Sequence, residues 1–126
     1  MPKITWNDIK HFKPSEFDSP DAPGSGEKMD LMFVARLDAM RAMIARPINI
    51  NSGYRTPSHN KAVGGVPKSA HTMGVGADIA CPSDSMRWLL VNAALDCGIK
   101  RIGIGKNLVH VDADPNLPSP RIWVYP

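Results

Sequence analysis

The stretch SGYRTPSHNKAVGGVPKSAHTMGVGADIA, residues 52–80, together with LVHVD at residues 108–112, decides how this chain folds. The β-branched run Ile48 to Ile50 leads into SGYR as a short strand that delivers Tyr54 and Arg55 to a surface. Between Thr56 and Gly76, two prolines and four glycines (Pro57, Pro67, Gly64, Gly65, Gly74, Gly76) argue against a long regular element. They leave room for a turn or two of helix around Ser58 to Val63. Ala77 to Ala80 and Leu108 to Asp112 read as strands. Alternation in the second puts Leu108, His110 and Asp112 on one face and the inward-packing Val109 and Val111 on the other.

Outward from this stretch, two amphipathic helices are expected. Phe33, Leu37, Met40 and Ile44 recur at helical spacing between Met29 and Ala45, and Pro47 lies just past the end. Ser83 is a good N-cap for a second helix with Met86, Leu89, Leu90, Ala93, Ala94 and Cys97 inward, and Gly98 closes it. Met29, Met32, Met40 and Met43 read as core packing. Arg101 to Ile104 and Ile122 to Tyr125 supply further strands. Helices and strands alternate without a regular βαβ rhythm, so the fold class is α+β with a mainly antiparallel sheet flanked by helices.

A chain of 126 residues with 43% hydrophobic and 21% charged residues is expected to form one domain, 1–126, with residues 1–27 as an arm pinned by Trp6, Phe12 and Phe17. The net charge of +3 is spread over scattered lysines and arginines, with no basic run interleaved with aromatics, so nucleic acid is not an expected partner. No segment has the length and apolarity of a bilayer span, and MPKITWNDIKHFKP lacks a secretory h-region. Synthesis in the cytoplasm, no stable membrane insertion and a monomeric state are the expectations. Cys81 and Cys97 form no C-x-x-C pair and read as buried thiols.

The residues with chemical options concentrate in SGYRTPSHN, SAHTMGVGAD and VHVDAD. A catalytic zinc takes three protein ligands, often imidazole and carboxylate, plus water. His71, Asp78 and His110 meet that count, while isolated histidines without any metal remain the other reading at this point. Asp112, on the face of His110, has the position of a carboxylate that orients a ligating imidazole.

The ordered motifs Ser52-Gly-Tyr-Arg55, then SAHTMGVGAD, then His110-Val-Asp112 closely resemble the zinc D-alanyl-D-alanine carboxypeptidases, especially the small phage and prophage members. The likeness runs from FKPSEF to IWVY. It implies a fold shared with the hedgehog signalling domain, a single Zn²⁺ on His71, Asp78 and His110, and peptidoglycan stem peptide as substrate. The implied activity is carboxypeptidase or endopeptidase cleavage beside D-alanine, after release to the cell wall as in an endolysin. Arg55 then becomes the carboxylate-binding arginine, since a guanidinium fork bonds both carboxylate oxygens, and Ser69 the substrate-contacting serine, unless it caps the turn near His71. Tyr54 lines the pocket or fills the core.

Other branches of that family carry an acid or histidine three positions before the last histidine ligand, where this chain has Asn107. An amide is no general base at neutral pH. Asp112 is the first candidate for that duty and His59 the second, His59 having the alternative of hydrogen-bonding the loop that presents Arg55. A zinc-stabilised wall-binding or virion module without catalysis is the competing expectation.

Overall fold

In the computed structural model, which describes residues 3–126, three short 3-10 turns (Trp6–Asp8, Pro14–Phe17, Ser25–Lys28) precede helix α1, Leu31–Ile44. Strand β1 (Ile50–Ser52), helix α2 (Pro57–Ala62), strand β2 (Gly76–Ala80) and helix α3 (Asp84–Asp96) follow. Strands β3 (Arg101–Ile104), β4 (Leu108–Asp112) and β5 (Arg121–Val124) complete the chain. The sheet order is β1-β2-β4-β3-β5, antiparallel throughout except for the parallel β3–β5 pair.

The α+β expectation holds, and local chemistry explains the boundaries. Ser83 Oγ accepts the Met86 amide at 3.1 Å and Gly98 leaves α3 with φ +83°, the side-chain cap and left-handed exit that its sequence announces. Helix α1 starts two residues later than its apolar pattern suggests. Met29 is extended, and the Asp30 amide is committed to the Gly74 carbonyl.

The inner face of the sheet, with Ala77, Ile79, Ile102, Val109 and Val111, shares one core with Phe33, Leu37 and Met40 of α1 and with Leu90 and Ala94 of α3. Phe12 and Phe17 join it from the arm, and Trp6 packs against it. Burying each of the larger side chains among these, the fully buried Val, Ile, Leu, Met and Phe, stabilises the fold by about 1.5–3 kcal/mol. The methionines divide. Met29 and Met40 are buried, but Met32 and Met43, about three helical turns apart, form an exposed row. Both cysteines are free, Cys81 buried and Cys97 half-buried.

Because the helices cover only one face, the other is left for chemistry. Pairing registers lay Ser52, Asp78, His110, Gly103 and Trp123 in one row across all five strands. Asp112 and Arg101 face each other in the next pair on that face, two residues along.

Candidate metal centre

Cross-strand partners on one face bring their side chains together, and Asp78 and His110 are such partners. His71 arrives from the turn before β2. One ligand atom from each of His71, Asp78 and His110 lies within 4.8 Å of the others. His110 Nδ1 is 2.8 Å and His71 Nε2 is 3.5 Å from Asp78 Oδ1. Tetrahedral zinc ligands with bonds of about 2.0–2.1 Å stand roughly 3.3 Å apart, and the two separations bracket that spacing.

The outer contacts fix which nitrogen faces the centre. A carbonyl can only accept, so His71 Nδ1 donates to the Gly53 carbonyl at 2.9 Å and leaves Nε2 toward Asp78. On the other ring, His110 Nε2 donates to Asp112 Oδ2 at 2.7 Å, leaving Nδ1 inward. Donation of the second ring nitrogen to a carbonyl or carboxylate is the arrangement ligating histidines favour.

Electrostatics agree with a cation-ready site. Burial opposes charge on Asp78, but hydrogen bonds from His110 and His71 outweigh it and hold the carboxyl well below the usual carboxylate range. Burial likewise opposes charge on His110, yet its hydrogen bonds to Asp112 and Asp78 raise its pKa. Asp112 is lowered in spite of burial by His110 and by the Asp114 amide.

Arg55 stands beside this centre. Its Nη2 is 3.5 Å from Asp78 Oδ2, its Nε donates to Ser52 Oγ at 3.1 Å and its Nη1 to Asn60 Oδ1 at 3.2 Å. Two of its five N–H donors remain. Asn60 also donates to the Val66 carbonyl at 2.8 Å, so it ties Arg55 to the glycine-rich loop. A Cβ at Gly65 would lie 2.0 Å from Asn60 Oδ1, and that close approach is why the loop has glycine there. The cleft has a volume of about 430 Å³, with Arg55, Ser69 and the three candidate ligands in its lining and Val66, Leu117, Trp123 and Tyr125 at its sides.

A family model described as Peptidase M15 matches residues 10–112, well over half of the chain. The chain belongs to the M15 peptidases. This family is zinc-dependent, and the donor set in the cleft of the M15 chain suits that ion. Comparison with curated proteins gave no match.

Three expected roles in the M15 chain are corrected by their surroundings. Tyr54 is buried in the core with the Lys28 ammonium 5.6 Å from its ring centroid, and it does not line the cleft. His59 lines a separate depression with Asp18, Asn51 and Ser52, its ring makes no hydrogen bond to the described residues, and Arg55 is held instead by Ser52 and Asn60. Asp112 has both oxygens engaged, by His110 on one side and by Arg101 and the Asp114 amide on the other. It orients His110 and is not placed to act as a base. Ser69 lines the cleft and its Oγ accepts the His71 amide at 3.2 Å, so it also secures the turn.

Sequence reasoning missed Asn60, Ser52, Arg101 and Trp123. Arg101 donates to Asp112 at 2.8 Å, and its guanidinium carbon is 4.7 Å from the Trp123 ring centroid. Trp123 lies 5.7 Å from the His110 ring, centroid to centroid. A Cβ on Gly103 would come within 2.8 Å of the Trp123 ring, so this glycine in the middle of a strand is the one signal that pointed to the aromatic packing.

Proposed function

We propose that this M15 peptidase hydrolyses an amide bond next to D-alanine in peptidoglycan stem peptides with one Zn²⁺ on His71, Asp78 and His110. It acts as a monomer on the cell wall after release or delivery, in phage lysis or wall remodelling. The observation that carries the reading is the convergence of the three donor atoms within 4.8 Å, with the Arg55 guanidinium against the same carboxylate.

Zinc at such a site lowers the pKa of a coordinated water and polarises the scissile carbonyl. The chain's own residues do the rest. Gly53 and Asp112 hold the two imidazoles in the required tautomer and orientation. Arg55 meets a substrate carboxylate with its remaining donors. Ser69 keeps the His71 turn in place and faces the substrate.

A second reading, a zinc-stabilised wall-binding or virion module without turnover, has an observation in its favour. Among the described residues lining the cleft, Asp78, Arg55, His71, Arg101 and His110 are the ionisable groups apart from Tyr125, and the one carboxylate is already a candidate ligand. Burial raises the Tyr125 phenol, so it is no base near neutral pH.

Purified muropeptides, including ones ending in D-alanyl-D-alanine, incubated with zinc-loaded and with chelated protein and analysed by mass spectrometry, separate these readings. Chelator-sensitive loss of one alanine marks a carboxypeptidase. Two separated stems mark an endopeptidase. Unchanged muropeptides, with stoichiometric zinc bound, refute the peptidase reading in favour of the wall-binding module.

A further inference from the structure

Arg101 stands behind the metal centre, and its contacts reach three parts of the cleft. Its Nε donates to Asp112 Oδ1 at 2.8 Å and its Nη1 to the Pro118 carbonyl at 2.6 Å. The guanidinium carbon lies over Trp123, 4.7 Å from the ring centroid. Through Asp112 the first contact continues to His110 at 2.7 Å. The second enters the loop between β4 and β5, where Leu117 lines the cleft.

That loop has little else to hold it. Residues 115–120 are all exposed, and Pro115, Pro118 and Pro120 have no amide to donate. Among the described residues, the Arg101 contact is the one hydrogen bond that ties this stretch to a distant part of the chain; the others come from Asp114 and Arg121, its neighbours. Arg101 itself is 11% exposed against an Asp112 side chain that is 2% exposed, so the pair is held in a setting where losing either partner strands a charge.

We propose that Arg101 is a positioning residue that couples the metal centre to the wall of the cleft. One side chain fixes the His110 imidazole through Asp112 and holds the Leu117 loop through Pro118, with Trp123 keeping its plane. A planar fork with donors in several directions can serve both partners, whereas a lysine supplies a point charge that serves one. The imidazole half of this coupling rests on the zinc reading above; the loop half does not.

The test uses the full chain with Arg101→Ala and Arg101→Lys, each checked for native circular dichroism. Zinc affinity is read by competition with a chromophoric chelator, and the loop by the NMR order parameters of the Leu117 and Ser119 amides in metal-free protein. KM and kcat are read on a stem pentapeptide. Arg101→Ala is expected to weaken zinc binding about 10–100-fold and to lower the order parameters of the loop. Arg101→Lys, which keeps a cation opposite Asp112, is expected to recover most of the zinc affinity yet leave the loop order parameters low and KM raised with kcat little changed.

Native zinc affinity in a folded Arg101→Ala protein would overturn the imidazole half. Full restoration of the loop order parameters and KM by lysine would overturn the coupling, because a point charge would then suffice. If the unmodified protein binds no zinc, the zinc reading fails by itself. The order parameters of Leu117 and Ser119 then still decide the loop half, a fall supporting it and unchanged values overturning it.

Discussion

Asp112→Asn changes one charge at nearly constant shape, and the hydrogen bonds around it make the outcome calculable. Every neighbour of this carboxylate is a donor: His110 Nε2 at 2.7 Å, Arg101 Nε at 2.8 Å and the Asp114 amide at 3.0 Å. An asparagine has one accepting end. If its oxygen faces His110, its NH₂ meets two donors and leaves Arg101 without a counter-charge. With the oxygen toward Arg101, its NH₂ meets His110 Nε2–H, and the imidazole must shift its proton to Nδ1, the atom needed for zinc.

Breaking a buried ion pair from one side costs about 3–5 kcal/mol, and the low end suits an arginine near the surface. A loss of about 3 kcal/mol is a large share of the 5–15 kcal/mol typical of a domain, or roughly 10 °C in Tm at this size. Zinc affinity should fall about 10–100-fold, as for the loss of other partners of ligating histidines. Urea titration of metal-free protein and chelator competition measure the two effects separately. A variant with an unchanged urea midpoint and zinc affinity within about twofold of the parent would refute the orienting role of Asp112.

His110→Ala removes a ligand and should abolish stoichiometric zinc and hydrolysis together; zinc retained in equilibrium dialysis would take His110 out of the ligand set. Arg55→Ala should keep zinc but lose rate on substrates with a free terminal carboxylate while sparing internal bonds, and equal kinetic loss on both would count against the carboxylate role. In metal-free protein the His110 pKa is raised by its two carboxylate partners, so its stabilisation is full below about pH 6.5 and fades as pH rises through the folded value. Asp78 and Asp112 are lowered, so theirs is present above about pH 3.9 and fades as pH falls through the folded values. Urea midpoints should therefore show these contributions together in the mildly acidic window between, and zinc binding should release a proton, seen by calorimetry in buffers of different ionisation enthalpy. Asn107→Asp should raise turnover at least about tenfold if a missing base limits the rate, and muropeptide hydrolysis at equal zinc occupancy measures it.

How much could be read from the sequence depended on range. The limits of β3 and β4 follow from alternation and from glycine and turn residues beside them, all local signals, and the observed strands match them residue for residue. The candidate metal set of His71, Asp78 and His110 is named from ordered motifs, and the fold brings those three residues together. What failed was the direction of side chains outside the strands: Tyr54 lies in irregular backbone just past β1, and His59 lies in the six-residue α2, too short for an apolar period to say which way it faces. Arg101 was invisible for a different reason. Its meaning comes from the register that sets it opposite Asp112 and from the return of β5 beside β3, which no local pattern encodes.

The same distinction bears on catalysis. By sequence Asp112 suits two duties, orienting His110 or acting as a base, and the fold spends both its oxygens on orientation. His59 stood second and lies on the far side of Arg55. Asn107, exposed in the turn beside the cleft-lining Leu108, has its carbonyl committed to the Cys81 amide at 2.9 Å and its side-chain amide free of hydrogen bonds to the described residues. A carboxylate there would keep its hydration and cost little to install. The peptidase and the wall-binding module thus share the metal, the oriented imidazoles and Arg55, and zinc binding is common to both. They part at a proton acceptor, so the deciding quantity is turnover per bound zinc, compared between the native chain and Asn107→Asp.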